Sequence, residues 1–293
     1  MVIAYKTNSG ATENAVLKVF DRRFGKSLRK IPAPYECYAP HTSEKECTWS
    51  NYVRRGKAQA FFEEIKADYE QLQTLPCCPA EYWMEEDDPD RFARFEGALQ
   101  YDALRHFKNE TTAYERLVEV QGQYIPKLLA HFRVCLGTDE IKTAGINTDN
   151  SEFFQINGIL MEQIEGFSLD MLLLNSTLLD EGKWKNVLQR VVDTAKDINE
   201  RGVVLGDCRP GNVLIRASSE TPFFHDFAQA TTFDPKYEKQ LFEALVQNND
   251  PGNLVKRLVS CLETKKNAKL GIKFPEMDQV MDLNITKAEK PAR

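Results

Sequence analysis

The chain predicts an α+β fold in two parts, a strand-rich first part interrupted by helices and a mostly helical second part that carries a short polar hairpin. Short runs with the composition of strands stand at Val2–Tyr5, Ala15–Phe20, Leu128–Cys135, Phe153–Ile156 and Ile159–Ile164. Past Gly166 the pattern changes to one helical apolar stripe, Trp184, Val187, Leu188, Val191, Ala195 and Ile198. Behind that stripe, Asp, Asn and Arg concentrate in two stretches, Asp207–Ile215 and Phe223–Ala228. The parts divide at residues 1–164 and 165–293, with a helical insertion over about 25–105 and the hairpin at 203–228.

The first two strands open the chain as a hairpin, since Asn8-Ser9-Gly10 supplies turn chemistry between them. From Gly25 to about Trp49 no period is visible, which reads as a surface connection. Ala58, Phe61, Phe62, Ile65, Tyr69, Leu72 and Leu75 then recur at helical spacing until Pro76 and Pro79 end the run. This stripe predicts a helix that docks its apolar face on the strand-rich part. A second helix holds Leu104, Phe107, Thr111, Tyr114 and Val118 and closes near Gly122 and Pro126. In the second part the main helix stops at Gly202. Helices are expected again near Lys236–Val246 and, with Asp250 as N-cap and Pro251 in the first turn, through Leu262.

Composition narrows the class. Of 293 residues 42% are hydrophobic and 28% charged, an ordinary globular mixture. A net charge of −6 argues against broad attraction to nucleic acid or anionic lipid. Met1–Gly10 lacks the apolar core of a secretory signal and no stretch has the length of a membrane span, so the expected location is the cytoplasm or nucleus. Seven scattered cysteines fit reduced thiols better than a disulfide framework. Cys37, His41 and Cys47 make the one run with loosely zinc-like spacing, and they read as ordinary loop residues.

The strongest local signal is Asp207-Cys208-Arg209-Pro210-Gly211-Asn212-Val213-Leu214-Ile215, followed by Phe223-Phe224-His225-Asp226-Phe227-Ala228. It resembles the catalytic and metal-binding loops of protein kinases, where an Asp precedes an Asn by five residues and a second Asp beside a Phe follows a hairpin. Phosphoryl transfer needs hard oxygen ligands for Mg²⁺, a carboxylate to orient the attacking hydroxyl and a cation for the transferred group. The resemblance makes Asp207 the orienting carboxylate, Arg209 the cation near the γ-phosphate, and Asn212 and Asp226 the magnesium ligands. The bland reading is an Asx-rich turn between two strands.

Upstream, Ala15-Val16-Leu17-Lys18-Val19-Phe20 looks like the strand of the ATP-anchoring lysine, Lys18. Its glutamate partner would come from the next helix, where Glu110 matches the family's position and Glu115 is the alternative. Gly158–Gly166 resembles the hinge between kinase lobes: backbone groups near Glu162 and Ile164 would face the adenine edge, with Met161 behind the pocket. Together with Leu117 through Gln121-Gly122 to Ile125-Pro126, these motifs resemble the fungal protein-kinase-like family, a branch of the protein kinase-like superfamily related to aminoglycoside and choline kinases. The resemblance runs from about Val16 to about Leu262 and implies a bilobal protein-kinase-like fold with a helical insertion in the N-terminal lobe and a short C-terminal lobe. It implies Mg·ATP between the lobes and a phosphotransferase.

The chain departs from the pattern at four places. No G-x-G-x-x-G precedes Lys18, Leu205 stands where His opens H-R-D, Ala228 replaces the Gly of D-F-G, and no A-P-E follows. The acceptor is open between a protein and a small molecule, and the short tail favours a small alcohol or amine over a protein hydroxyl. The missing glycine loop keeps a second reading open, a pseudokinase that acts as an interaction module with weak or no nucleotide binding.

Overall fold

The computed structural model describes residues 1–6, 10–25, 29–31, 37–38, 40–72, 87–135, 148–233, 246, 251–266 and 269–274. Helices and antiparallel sheets divide into two compact units. The first comprises Met1–Thr111 with Lys127–Gln163, and the second Thr112–Pro126 with Ile164–Arg293.

In the first unit, β1 (Val2–Lys6) and β2 (Thr12–Phe20) form the expected hairpin, and β2 pairs on its other side with β6 (Gln155–Glu162), which pairs with β5 (Leu128–Cys135). The sheet order is β1-β2-β6-β5, antiparallel throughout. Short β3 (Lys30–Ile31) and β4 (Cys37–Tyr38) pair with each other. The sequence suggested a break at Asn157-Gly158, with one strand on each side. Instead one strand runs through, because Phe132 of β5 sits opposite Gly158 and its ring fills the space that a Cβ there would claim. Residues Thr148–Phe154 form a 3-10 turn leading into β6, not a strand.

Two helical readings need correction. The connection read as lasting to Trp49 ends earlier, at α1 (Ser43–Arg54), where the Thr42 hydroxyl caps the Lys45 N–H. Trp49, Tyr52 and Val53 form its buried face. α3 (Arg91–Arg116) begins well before Leu104 and is 26 residues long. α2 (Ala58–Leu72) agrees with the expected helix, whose last predicted residue, Leu75, lies outside the described residues.

The stripe of α2 is buried as expected, although its partners are mainly helices. Phe61 and Ile65 join Trp49, Tyr52 and Val53 of α1, Ala93 and Ala98 of α3, and Phe153 and Phe154 in a core of their own. The Trp49 indole N–H donates to the Phe153 carbonyl at 3.1 Å, so the largest ring is both packed and satisfied. Gly97 of α3 is needed here, since a Cβ would press on Trp49 and Phe61. Amides across α2 are therefore expected to exchange slowly with deuterium, like the strands. Exchange as fast as that of exposed loops, in folded protein, would show the helix undocked.

The second unit is built on α5 (Glu181–Glu200), capped at its start by the Asp180 carboxylate, which accepts the Gly182 N–H. Its stripe Trp184, Val187, Leu188, Val191, Val192, Ala195 and Ile198 is buried. The helix ends at Gly202, whose φ of +80° suits a residue without a Cβ. A sheet of order β10-β9-β7 uses β7 (Gly166–Ser168), β9 (Val213–Arg216) and β10 (Pro222–Phe224), while β8 (Val203–Val204) pairs with β11 (Thr231–Thr232). Short α4 (Met171–Leu174) follows β7, and α6 (Pro251–Lys266) starts at the expected proline. The Asp250 cap and nearly all of the expected Lys236–Val246 helix lie outside the described residues. Among the described residues no helix is long and apolar enough to cross a membrane, and Cys47, Cys208 and Cys261 form no disulfide.

Candidate functional site

In the first unit, strand alternation puts Val16, Lys18 and Phe20 on one face of β2. The register places Met161 opposite Val16 and Ile159 opposite Lys18, so the lysine shares its face with two buried apolar residues of β6. Helix α3 crosses this face. Phe107 packs edge-on against Phe20, with ring centroids 5.7 Å apart, and one turn later the Glu110 carboxylate pairs with the Lys18 ammonium. Glu110 is fully buried, and a buried carboxylate is stable as an anion only beside a cation. Glu115, the other candidate, is exposed.

Met161 is buried at 5% exposure near the end of β6. The Glu162 N–H donates to the Lys127 carbonyl at 2.9 Å and its carboxylate accepts the Lys127 N–H at 3.1 Å. Ile164 is buried and opens the next stretch of the second unit. After the hinge segment the chain enters β7 before any helix. A Cβ at Gly166 would strike the Ile215 carbonyl, so glycine lets this strand close against β9.

In the second unit, buried β8 and Leu205 lead into the loop that carries Asp207. Gly206 lies so close to the Gln229 backbone that a side chain is excluded. The Arg209 N–H donates to the Asp207 carbonyl at 3.1 Å, Pro210–Asn212 makes a 3-10 turn, and Asn212 donates its side-chain amide to Asp207 twice, to the carbonyl at 2.9 Å and to Oδ2 at 3.1 Å. The carboxylate orientation is thus set by Asn212. Because the Asn212 nitrogen is engaged, its hard amide oxygen is the end available to a metal. Arg209 is 63% exposed and its Nε lies 2.9 Å from Asp207 Oδ2, so the expected phosphate cation is held by the expected base.

Strands β9 and β10 fold the chain back. The His225 N–H donates to the Asn212 carbonyl at 3.1 Å, which places Asp226 next to the loop's end. Asp226 has φ +66°, a left-handed conformation that costs a side-chain-bearing residue energy and is concentrated at functional sites. Phe227 after it is fully buried and meets Tyr114 edge-on, 5.5 Å between centroids. Tyr124 was not singled out from sequence: its carbonyl accepts the Phe224 N–H at 2.8 Å and its hydroxyl bonds to Asp197. Burial and then that carboxylate push the phenol up to about 12. No local motif announces such a residue, since both its partners are distant in sequence.

The donors suit magnesium. Asp226 and Asn212 offer oxygen, and a magnesium ion usually takes one or two protein ligands while phosphates and water supply the rest. Among the described residues no group of three or more His, Cys, Asp or Glu side chains is gathered as a self-contained metal cage. His41 instead faces Glu46 at 3.3 Å and Glu96 at 3.7 Å.

No protein-family model matches the chain. Over 121 residues, 41% of its length, it is 26% identical to Serine/threonine-protein kinase D of Synechocystis sp.. The match spans 19% of that protein's length. This likeness supports a kinase-like relationship.

Proposed function

We propose that the chain is an ATP-dependent phosphotransferase with a bilobal protein-kinase-like α+β fold, which moves the γ-phosphoryl group of Mg·ATP to an acceptor hydroxyl. The observation that carries this reading is the Asp207–Asn212 loop tied by hydrogen bonds to itself and to the turn of Asp226. Asp207 would orient the acceptor hydroxyl and take up its proton, with Asn212 holding the carboxylate in place. Lys18, positioned by its ion pair with Glu110, would hold the nucleotide's phosphates, while Arg209 would exchange Asp207 for the γ-phosphate. The Glu162 and Ile164 backbone would meet the adenine edge, with Met161 lining the pocket behind. Magnesium, held by Asn212 and Asp226, would neutralise charge on the phosphate oxygens. The distant likeness to a serine/threonine kinase points the same way.

A second reading has its own observation: the β1–β2 connection contains a single glycine, Gly10, where a phosphate-covering loop would be glycine-rich. A binding module with weak or no nucleotide affinity would follow. A thermal-shift titration with ATP, with and without Mg²⁺, separates the two. Ligand at about a hundred times its Kd adds about 2.7 kcal/mol to apparent stability, so a magnesium-dependent rise in Tm is expected. No shift at millimolar nucleotide would favour the binding module.

A further inference from the structure

Helix α3 carries two fully buried glutamates, and both are paired with cations of the β2 segment: Glu110 with Lys18 inside the strand, and Glu96 with Arg22 just beyond its end. From 96 to 110 is 14 residues, just under four helical turns, so the two carboxylates share one side of α3 about 21 Å apart along its axis. Gln100, Ala103 and Phe107 stand between them at the same helical phase. Gln100 is 3% exposed and donates its side-chain amide to the Gln155 carbonyl of β6 at 2.9 Å, and Phe107 packs on Phe20 of β2. One stripe of the helix therefore meets the sheet along its length, with an ion pair at each end.

The pair at Glu96 is the more heavily built. Arg22 is 4% exposed and divides its guanidinium between Glu96 and Glu46 of α1. Its carbonyl accepts the Arg29 Nε–H at 2.9 Å, and Arg29, fully buried, donates from both Nη groups to the Glu96 oxygens at 2.9 and 2.7 Å. The chain leaving β2 is thus fastened to α3 by side chain and by main chain. His41 stands on the same carboxylates, 3.3 Å from Glu46 and 3.7 Å from Glu96. Direction decides which contact sets the register of α3 on the sheet. Dispersion between the Phe20 and Phe107 rings changes little when one slides on the other, whereas a two-bonded arginine–carboxylate pair has one geometry and loses it with a shift of about an ångström. A helix moved along β2 would also leave two guanidinium groups in the interior without their anion.

Deepening the phosphotransferase reading, on which its consequence for ATP rests, we propose that Arg22, Arg29 and Glu96 are positioning residues that hold α3 in the one register where Glu110 meets Lys18. The nucleotide-anchoring pair is therefore formed in the chain by itself, without an activating partner or modification to bring the helix in.

The test reads Lys18 directly, in the full chain and without nucleotide, as its rate of acetylation by an amine reagent followed by peptide mass spectrometry. An amine held by a buried carboxylate must leave it to react, so Lys18 should acetylate about tenfold more slowly than exposed Lys108 of α3. Glu110→Gln sets the rate of the broken pair. Arg22→Gln, which leaves Glu96 with Arg29, should raise the Lys18 rate about threefold or more towards that value, with Lys108 unchanged. Arg22→Lys, which keeps the charge but loses the fork, should restore part of the protection. If Arg22→Gln does not fold, Arg22→Lys carries the comparison, with a rise of about twofold over the parent. Glu46→Gln severs only the branch to α1 and should leave Lys18 as in the parent. Where transfer from ATP is observed, the ATP KM should rise in Arg22→Gln by the same factor as the Lys18 rate, with the acceptor KM unmoved. Absence of transfer with the labelling pattern intact would overturn the phosphotransferase reading and uphold the positioning role. Lys18 as reactive as Lys108 in the parent, an unchanged Lys18 rate in the Arg22 variants, or an equal rise in Glu46→Gln would overturn the positioning role.

Discussion

Replacing Asp226 by Asn is expected to abolish the magnesium-dependent part of nucleotide binding and to lower phosphoryl transfer by roughly a hundred- to a thousandfold, with the fold unchanged. The choice of Asn follows from the backbone. At φ +66° Asp and Asn are tolerated because their short polar side chains bond locally, whereas Ala would add about 1–2 kcal/mol of strain and confuse a ligand defect with a folding defect. Asn keeps the shape and one hard oxygen but removes the charge that attracts a divalent cation. Circular dichroism and Tm without ligand should match the parent protein, and only the additional Tm rise on adding Mg²⁺ to ATP should disappear. If that magnesium-dependent rise persists in the variant at its full size, Asp226 is not a metal ligand.

The second large effect is one of stability. Glu96 is fully buried in α3 and receives both Arg29, through two bonds of 2.9 and 2.7 Å, and Arg22. Arg29 is itself fully buried and Arg22 is 4% exposed, and Arg22 also reaches Glu46 of α1. Truncating Glu96 to Ala leaves two guanidinium groups in the interior without their main counter-ion, which costs about 3–5 kcal/mol. Urea denaturation should show the loss, and a change below about 1 kcal/mol would mean that solvent reaches this cluster.

The pH dependence of the same cluster has a defined sign. Burial alone would raise the Glu96 carboxyl, but hydrogen bonding to Arg29 and the charges of Arg22 and Arg29 outweigh it and hold the group below its ordinary value. Its contribution is therefore complete above the unfolded-state pKa of about 4.3 and is lost as pH falls through the lower folded value. His41 is also lowered, by burial first and then by Arg22, against the opposing pull of Glu96 and Glu46. The unfolded chain takes up that proton first, so acidification below about pH 6.5 already erodes stability before Glu96 titrates. The acid limb should shrink in Glu96→Ala.

How far the sequence could be read depended on whether the signal was local. Lys18 on its strand, the spacing of Asp207, Asn212 and Asp226, the stripe of α5 and the face of α2 are all written in neighbouring residues, because strand alternation, helical period and turn chemistry act over a few positions. Those readings needed no tertiary information. The start of α1 and the length of α3 were misread because the insertion's helices bury their faces on one another, which blurs an apolar stripe at each end. The Arg22–Arg29–Glu96 cluster gave no signal at all, since three charged residues up to 74 positions apart look like surface until folding brings them together.

By itself, then, the chain determined its mixed α and β composition, the β1–β2 hairpin and the helical stripes of α2 and α5, and it singled out the residues proposed to serve phosphoryl transfer. The tertiary structure decided which carboxylate meets Lys18, since Glu110 and Glu115 differ only in which side of α3 is buried. It also decided that β6 runs unbroken, because Phe132 lies opposite Gly158. Finally, it set Asp170 beside Gly211, a placement that arises from strand pairing between β7 and β9 and so from hydrogen bonds between segments more than forty residues apart. Local sequence carries propensity and period, whereas long-range register is a property of the packed chain alone.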